Sequence, residues 1–127
     1  KAIVKNRPID TSLHLSKVIR GAIRRRWSRI NPATRTFQAI RMEVNGEMDN
    51  LESALEQTGT ILNSGGRLAV ISYHSLEDRL VKNFLKEKDK GGSRFKIVNK
   101  KVIKPSRNEI QFNRRSRSAR MRVAERI

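Results

Sequence analysis

Apolar residues recur along this chain at two different periods, and the change of period marks its elements. Leu15, Val18, Ile19, Ala22 and Ile23 fall at helical spacing behind Asp10 and Thr11, either of which can accept from the first free backbone N–H groups. Gly21 weakens that helix slightly. Asn31-Pro32 predicts a second start, with Asn as cap and Pro in the first turn. Ala33, Phe37, Ile40 and Val44 form its apolar stripe, with Arg35 and Arg41 off it. Asn45-Gly46 predicts a break. The stripe resumes as Met48, Leu51, Leu55, Thr58 and Leu62, widened by Ala54 and Ile61, with Glu47, Glu52 and Glu56 on the wet side. Asn63-Ser64-Gly65-Gly66 ends it.

The period then shortens. Arg67 to Tyr73 predicts a strand, and its continuous Leu-Ala-Val-Ile run predicts burial on both faces, as in a parallel sheet. Ser75 and Asp78 have the spacing of a capping box, ahead of a helix carrying Leu76, Leu80, Val81, Phe84 and Leu85. Gly91-Gly92 predicts a turn. Phe95 and Ile97, with Val102 and Ile103, predict a strand or hairpin arm. Ser106 and Glu109 again have capping-box spacing and open a short helix, and Met121 and Val123 alternate with Arg120, Arg122 and Ala124 in a last strand. A strand reached after a long helix and a Gly-Gly turn places the chain in the α/β class. Its three predicted strands are too few for a doubly wound sheet, so the chain reads as the back half of one.

Charge sharpens this picture. The 127 residues hold 29 Lys and Arg against 12 Asp and Glu, a net charge of +17. Residues 1–50 carry 11 basic and 4 acidic side chains, residues 51–90 carry 6 of each, and residues 91–127 carry 12 basic and 2 acidic. A neutral, patterned centre between basic ends points to nucleic acid at the flanks, because so many like charges repel one another without a counter-anion. The densest cluster is Arg24-Arg25-Arg26-Trp27-Ser28-Arg29; Trp27 could stack on a base or dock on the core. Cysteine is absent and only His14 and His74 represent histidine, which removes disulfides, thiol nucleophiles and a His-rich metal site. The longest apolar run, Leu68 to Ile71, cannot cross a membrane, and the expected partner is a polyanion, with no membrane.

Three segments carry a more specific signal. They are Asn31-Pro-Ala-Thr-Arg-Thr-Phe-Gln-Ala-Ile-Arg-Met-Glu-Val-Asn45, Gly65-Gly-Arg-Leu-Ala-Val-Ile-Ser-Tyr-His-Ser-Leu-Glu-Asp-Arg79 and Arg115-Ser-Arg-Ser-Ala-Arg-Met-Arg-Val-Ala-Glu-Arg126. Together they resemble the small-subunit ribosomal RNA cytosine-N4 methyltransferases, the RsmH/MraW family, from about Pro8 to Ile127. The resemblance implies an S-adenosylmethionine-dependent enzyme with a Rossmann-like domain, an inserted helical domain, and a cytidine amine of the decoding centre as substrate. It implies that residues 1–30 end the inserted domain with its basic cluster, and that residues 31–127 are a return helix and the carboxy-terminal half of the methyltransferase domain, including the antiparallel pair that closes such folds. The family usually opens the helix at 31 with His; here Asn31 keeps the capping role and would not handle a proton.

The resemblance also leaves a gap. Neither Gly65-Gly66 nor Gly91-Gly92 has the strand–GxGxxG–helix setting of a cofactor loop, so the S-adenosylmethionine loop is expected in a missing amino-terminal half or a partner chain. The cytosine amine is a weak nucleophile, so such an enzyme must flip the base, align the amine and offer hydrogen-bond acceptors to it. Acceptors belong at a strand end facing a cleft, where Tyr73 and His74 lie. These two are the candidate substrate-pocket residues; His74 could equally make a structural hydrogen bond there. Ser75 is the expected helix cap, and Glu77 and Asp78 favour the helix dipole. Arg24, Arg25, Arg26, Arg29, Arg35, Arg79, Arg114, Arg115, Arg117 and Arg120 are the candidate contacts to small-subunit RNA or the small ribosomal subunit. The alternative is a non-catalytic RNA-binding assembly factor on the same scaffold. A basic ribosomal protein would explain the charge but not the buried strand and its turn. The expected compartment is a bacterial cytoplasm, or the matrix of a mitochondrion or plastid.

Overall fold

A computed structural model describes residues 1–23, 31–90 and 94–127. The arginine cluster at 24–29, Trp27 and the Gly91-Gly92 turn lie outside the described residues. The chain divides into two units, 1–47 and 48–127.

The first unit is helical. A short helix α1 (Ala2–Lys5) packs on α2 (Ser12–Ala22). Thr11 caps α2 by accepting from the backbone N–H of His14 at 3.1 Å, and Ile19 is the buried residue of the expected stripe. The next helix starts later than Asn31-Pro32 predicts: α3 runs Thr34–Val44 with Ala33 at the cap position. Asn31 Oδ1 accepts from the Ala33 N–H at 3.0 Å in the turn ahead of it, because a side chain two residues from that N–H closes a turn and not a helical cap. Ala33 is buried, but the far end of the predicted stripe is not: Ile40 is exposed and Val44 is 79% exposed, while Met42 is buried. Among the described residues, nothing covers the last turn on the Val44 side. Gly46 adopts a φ of 58°, which breaks the helical path as expected, and Arg41 pairs with Glu47 across the break at 2.8 Å.

In the second unit, α4 (Glu47–Ile61) leads through the glycine turn into β1 (Arg67–Ser72). Then follow α5 (Ser75–Lys90), β2 (Phe95–Ile97), α6 (Arg107–Phe112), a 3-10 turn at Arg114–Ser118 and β3 (Arg120–Arg126). The three strands form one sheet in the order β1–β3–β2, with the last strand central and antiparallel to both neighbours. Arg67 faces Glu125 and Ser72 faces Arg120 across the first pair; Phe95 faces Arg126 across the second. β1 alternates between exposed and half-buried positions along most of its length, with Ile71 54% exposed, instead of being buried on both faces. Among the described residues its only strand neighbour is β3, and Ala69 and Ile71 on one face stay exposed. The expected hairpin arm is shorter than its apolar pattern. Ile103 makes a single bridge to Met121, and Asn99 fills the gap by accepting from the Val123 N–H through Oδ1 at 2.6 Å.

The core lies under this sheet. Leu55 of α4, Val81, Phe84 and Leu85 of α5, Phe95 of β2 and Ala124 of β3 form one buried cluster. The Phe84 and Phe95 rings tilt by 56° with centroids 6.3 Å apart, a favourable edge-directed arrangement. Ile61, Ala54 and Leu76 stay outside the cluster, so the buried stripes of α4 and α5 are narrower than the sequence suggests. Gly65 holds a φ of 80° between α4 and β1. Its N–H donates to the Arg126 carbonyl at 2.7 Å, and the Arg126 N–H donates to the Gly66 carbonyl at 2.8 Å. The Arg126 guanidinium also donates to the Leu62 carbonyl at the helix end. The glycine turn is thereby tied to the end of the central strand. Among the described residues no helix is long and apolar enough to cross a membrane.

Candidate functional site

The end of β1 and the start of α5 share one sharp turn, and its hydrogen bonds fix the side chains around it. The capping box is present, one residue earlier than its sequence spacing suggests. His74 precedes the first helical residue, and its Nδ1 accepts from the Glu77 N–H at 3.3 Å. Glu77 reaches back, its Oε2 accepting from the N–H groups of His74 at 3.2 Å and Tyr73 at 2.9 Å. Ser75 is therefore the first helical residue and not the cap. The shift has a basis in the side chains themselves. Glu is the better partner for reaching back over a turn, and His can accept through Nδ1 as the usual Ser or Thr does.

An Nδ1 that accepts carries no proton, so the neutral His74 ring holds its proton on Nε2. That atom is buried and lies 3.1 Å from Glu77 Oε1, an ion-pair distance but not hydrogen-bond geometry. It is left without a hydrogen-bond partner among the described residues, as is the buried Oγ of Ser72 just before it. Tyr73 is 54% exposed.

Freed from capping, Asp78 points at the sheet. It is 6% exposed, and it accepts from Arg122 Nε at 2.7 Å, Arg122 Nη2 at 3.3 Å and Arg120 Nη1 at 3.0 Å. The Arg122 hydrogen bond outweighs the opposing cost of burial. The Arg120 hydrogen bond and the two positive charges add to it, and the carboxyl titrates below its ordinary value. This clamp pins the first turn of α5 to the beginning of β3.

A pocket of about 270 Å³ opens beside the turn, lined by Tyr73, His74, Lys104, Arg117 and Arg120 among others. A second cavity of about 350 Å³ adjoins it, sharing Tyr73 and Lys104 with the apolar Ile71, Ile103 and Met121. The structure thus brings both substrate-pocket candidates together with Arg117 and Arg120 from a segment more than forty residues away. Arg114 and Arg115 are exposed on the same 3-10 turn as Arg117, whose backbone is set by Asn113 Oδ1 accepting from the Arg115 N–H at 3.2 Å. Arg120 is divided between the pocket and Asp78. Arg79 is exposed on α5, and Asp78 pairs with the sheet arginines instead of with it. Arg35 is exposed in the first unit and is not among the residues lining this pocket, and Arg24, Arg25, Arg26 and Arg29 lie outside the described residues.

Lys104 is the pocket residue that sequence reasoning missed. The Ile103–Met121 bridge, with its two backbone hydrogen bonds of 3.0 and 2.8 Å, carries Lys104 to the strand end. The alternation of Ile103 with Lys104 beside Pro105 is the available signal, but a single bridge leaves no periodic pattern. Among the described residues no group of three His, Cys, Asp or Glu side chains could hold a metal ion. Nor is the glycine turn a cradle for a nucleotide-like cofactor. It precedes its strand, and a Cβ on Gly66 would meet the Asn63 carbonyl of the same turn at 2.8 Å, so the close approach there serves the chain itself. In its proton arrangement, the pocket offers a buried N–H donor, a phenol and two or three cations, a set suited to an anionic, hydrogen-bonding ligand.

The chain is 49% identical over its whole length to a ribosomal RNA small subunit methyltransferase H of Dehalococcoides mccartyi, of which it covers 40%. It is 48% identical to the protein of that name from Synechococcus elongatus, covering 42%, and 51% identical to that of Thermosipho africanus, covering 43%. It therefore spans about two-fifths of the length of these curated relatives. A family model described as the MraW methylase family matches residues 1–127, and on that full-length match the chain belongs to the MraW methylase family.

Proposed function

We propose that this chain is the carboxy-terminal portion of an S-adenosylmethionine-dependent methyltransferase that modifies the N4 amine of a cytidine in small-subunit ribosomal RNA. The observation that carries the reading is the family match along the whole chain, joined to a pocket at the Tyr73-His74 strand end. The β1–β3–β2 order, with the last strand inserted antiparallel, supports assigning these strands to the closing end of a Rossmann-like methyltransferase sheet. On this reading residues 1–30 end an inserted helical domain and residues 31–127 return to the methyltransferase domain.

The glycine turn does not fit the cofactor, since it cradles nothing beyond itself, and on this reading the methyl donor is held by the remainder of the longer protein. What this chain supplies is the substrate side. Arg114, Arg115 and Arg117 meet RNA phosphates, which fixes register without reading sequence. A flipped cytosine enters beside Tyr73 and displaces the side chains that bury His74 Nε2, whose N–H then donates to a ring acceptor of the base, not to the amine. The amine N–H groups must then find acceptors elsewhere, and Glu77 Oε1 is a carboxylate oxygen within reach, 3.1 Å from Nε2.

The test is methyl transfer by the full-length protein carrying this chain. Small ribosomal subunits lacking the modification are incubated with labelled S-adenosylmethionine, and the digested RNA is read by mass spectrometry for N4-methylcytidine. Label on any other nucleotide, or none, would sink the substrate assignment.

A further inference from the structure

A further groove, of about 440 Å³, runs between α5 and the edge strand β2 with the loop that follows it. Its floor is apolar, made by Leu85 and Ile97. Its rim carries Lys82 and Lys86 from one side and Lys96 and Lys100 from the other. All four lysines are exposed, and none has a carboxylate partner among the described residues. The two other charged groups in the lining do not reverse its sign, since one carboxylate stands against four lysines. Asp89 accepts from the Ile97 N–H at 3.1 Å, and Arg122 is held by Asp78 at 2.7 Å. The free charge of the groove is therefore positive.

Lys82 and Lys86 sit one helical turn apart on the same face, where like charges destabilise a helix. Lys96 and Lys100 bring two more cations to the facing edge. One or two lysines would suffice to keep a three-residue edge strand from pairing with another chain. The charge balance along the chain conceals the cluster, because residues 51–90 are neutral overall. Three of their six acidic residues are turned elsewhere: Glu56 to Lys88, Glu77 to the capping box and Asp78 to the sheet arginines.

We infer that this groove is a second RNA-backbone site, at which Lys82, Lys86, Lys96 and Lys100 hold phosphates of the same RNA or ribosomal subunit away from the methylation pocket. The inference rests on the RNA-substrate reading above. Lysine ammonium groups are compact, mobile point charges suited to phosphate oxygens. Among the described residues no aromatic side chain lines the groove, so they offer no platform for stacking bases and grip backbone without regard to sequence.

The experiment uses the full-length protein carrying this chain, a fluorescein-labelled single-stranded RNA, and binding by anisotropy across a potassium chloride series. K82Q/K86Q and K96Q/K100Q should each lower the slope of log affinity against log salt by about 1.4, at roughly 0.7 for each phosphate no longer neutralised. K82R/K86R should restore the wild-type slope. Thermal melting of K82Q/K86Q should be unchanged or raised, since a like-charge pair is removed. Wild-type binding with slopes unaltered in both glutamine pairs overturns the groove and leaves the substrate reading standing. Absence of salt-dependent RNA binding by the wild type removes the substrate reading and the groove together. A lowered melting temperature that K82R/K86R does not rescue makes the lysines structural and overturns the inference. So does competition by polyglutamate that both glutamine pairs abolish while RNA binding persists, which would make the groove a site for an acidic protein.

Discussion

His74 Nδ1 accepts the Glu77 N–H while Glu77 Oε2 accepts the His74 N–H, so each residue caps the other's backbone across one helical turn. The exchange gives His74 two separable jobs, one for each ring nitrogen. His74→Asn keeps a cap acceptor and removes the Nε2 donor; His74→Ala removes both. We expect His74→Asn to melt near the wild-type temperature and to lose about 10²-fold in single-turnover methyl transfer by the full-length enzyme. His74→Ala should lose the same activity and, in addition, about 1 kcal/mol of stability. Equal activity in His74→Asn and wild type would reduce His74 to a cap.

Asp78 gives the fold an acid-sensitive joint. Its pKa is lowered in the folded state, chiefly by the Arg122 hydrogen bond, so the unfolded chain binds the proton more readily. The stabilisation is complete above the unfolded carboxylate value of about 4 and disappears as pH falls through the lower folded value. Chemical denaturation from pH 7 down to pH 2 should show wild type losing more stability below about pH 4 than Asp78→Asn. The variant itself should be less stable at pH 7 by about 1.5–3 kcal/mol, the loss of hydrogen bonds to a charged group. Parallel pH profiles for the two proteins would refute the joint.

The glycine turn should resist substitution for two different reasons. At Gly65 the left-handed φ of 80° costs a side chain about 1–2 kcal/mol, although a Cβ there meets nothing within 4 Å. At Gly66 the obstacle is the Asn63 carbonyl, 2.8 Å from a Cβ, which only a backbone shift relieves. Urea denaturation should therefore show a modest loss for Gly65→Ala and a larger one for Gly66→Ala. Gly65→Asn should recover part of the first loss, because Asn tolerates the left-handed region. The reverse ranking of the two alanine variants would refute this account.

Arg115 and Arg117 share a turn but not their surroundings, since only Arg117 lines the pocket. Arg115→Ala should lower the salt slope of RNA binding by about 0.7–0.9 and leave single-turnover methylation at saturating RNA unchanged. Arg117→Ala should lower both. Binding across salt, run beside single-turnover kinetics on the full-length protein, separates the two; an identical pattern for both variants would erase the distinction.

Much of this molecule can be read from local pattern. Thr11 and Ser106 cap where their spacing says they should, because a cap is decided within four residues, whereas Asn31 closes the turn ahead of its helix and leaves the cap position to Ala33. Gly46 and Gly65 break the chain where only glycine adopts the backbone easily. The strand at 67–72 and the last strand at 120–126 follow from β-branched alternation and run length. The Tyr73-His74 position at a strand end is also legible, since it needs only the strand and the helix after it.

What the tertiary structure decided is everything that depends on pairing across the chain. A run of Leu-Ala-Val-Ile does not say whether a strand is parallel or antiparallel; the return of residues 120–126 along β1 made it antiparallel, with Ile71 left exposed. Of two adjacent acids, Glu77 and Asp78, the sequence spacing from Ser75 assigns Asp78 to the helix start. Glu77 took the cap and Asp78 the clamp, because Arg120 and Arg122 stand on the facing strand, 42 and 44 residues away. Lys104 reached the pocket through one bridge, and four lysines from a helix, a short edge strand and its following loop met over one groove. Local sequence determined the caps, turns and strands because short-range hydrogen bonds and backbone sterics act within a few residues. The tertiary structure alone determined which charges are neutralised and which remain free, because electrostatic partners are set by distance in space and not along the chain.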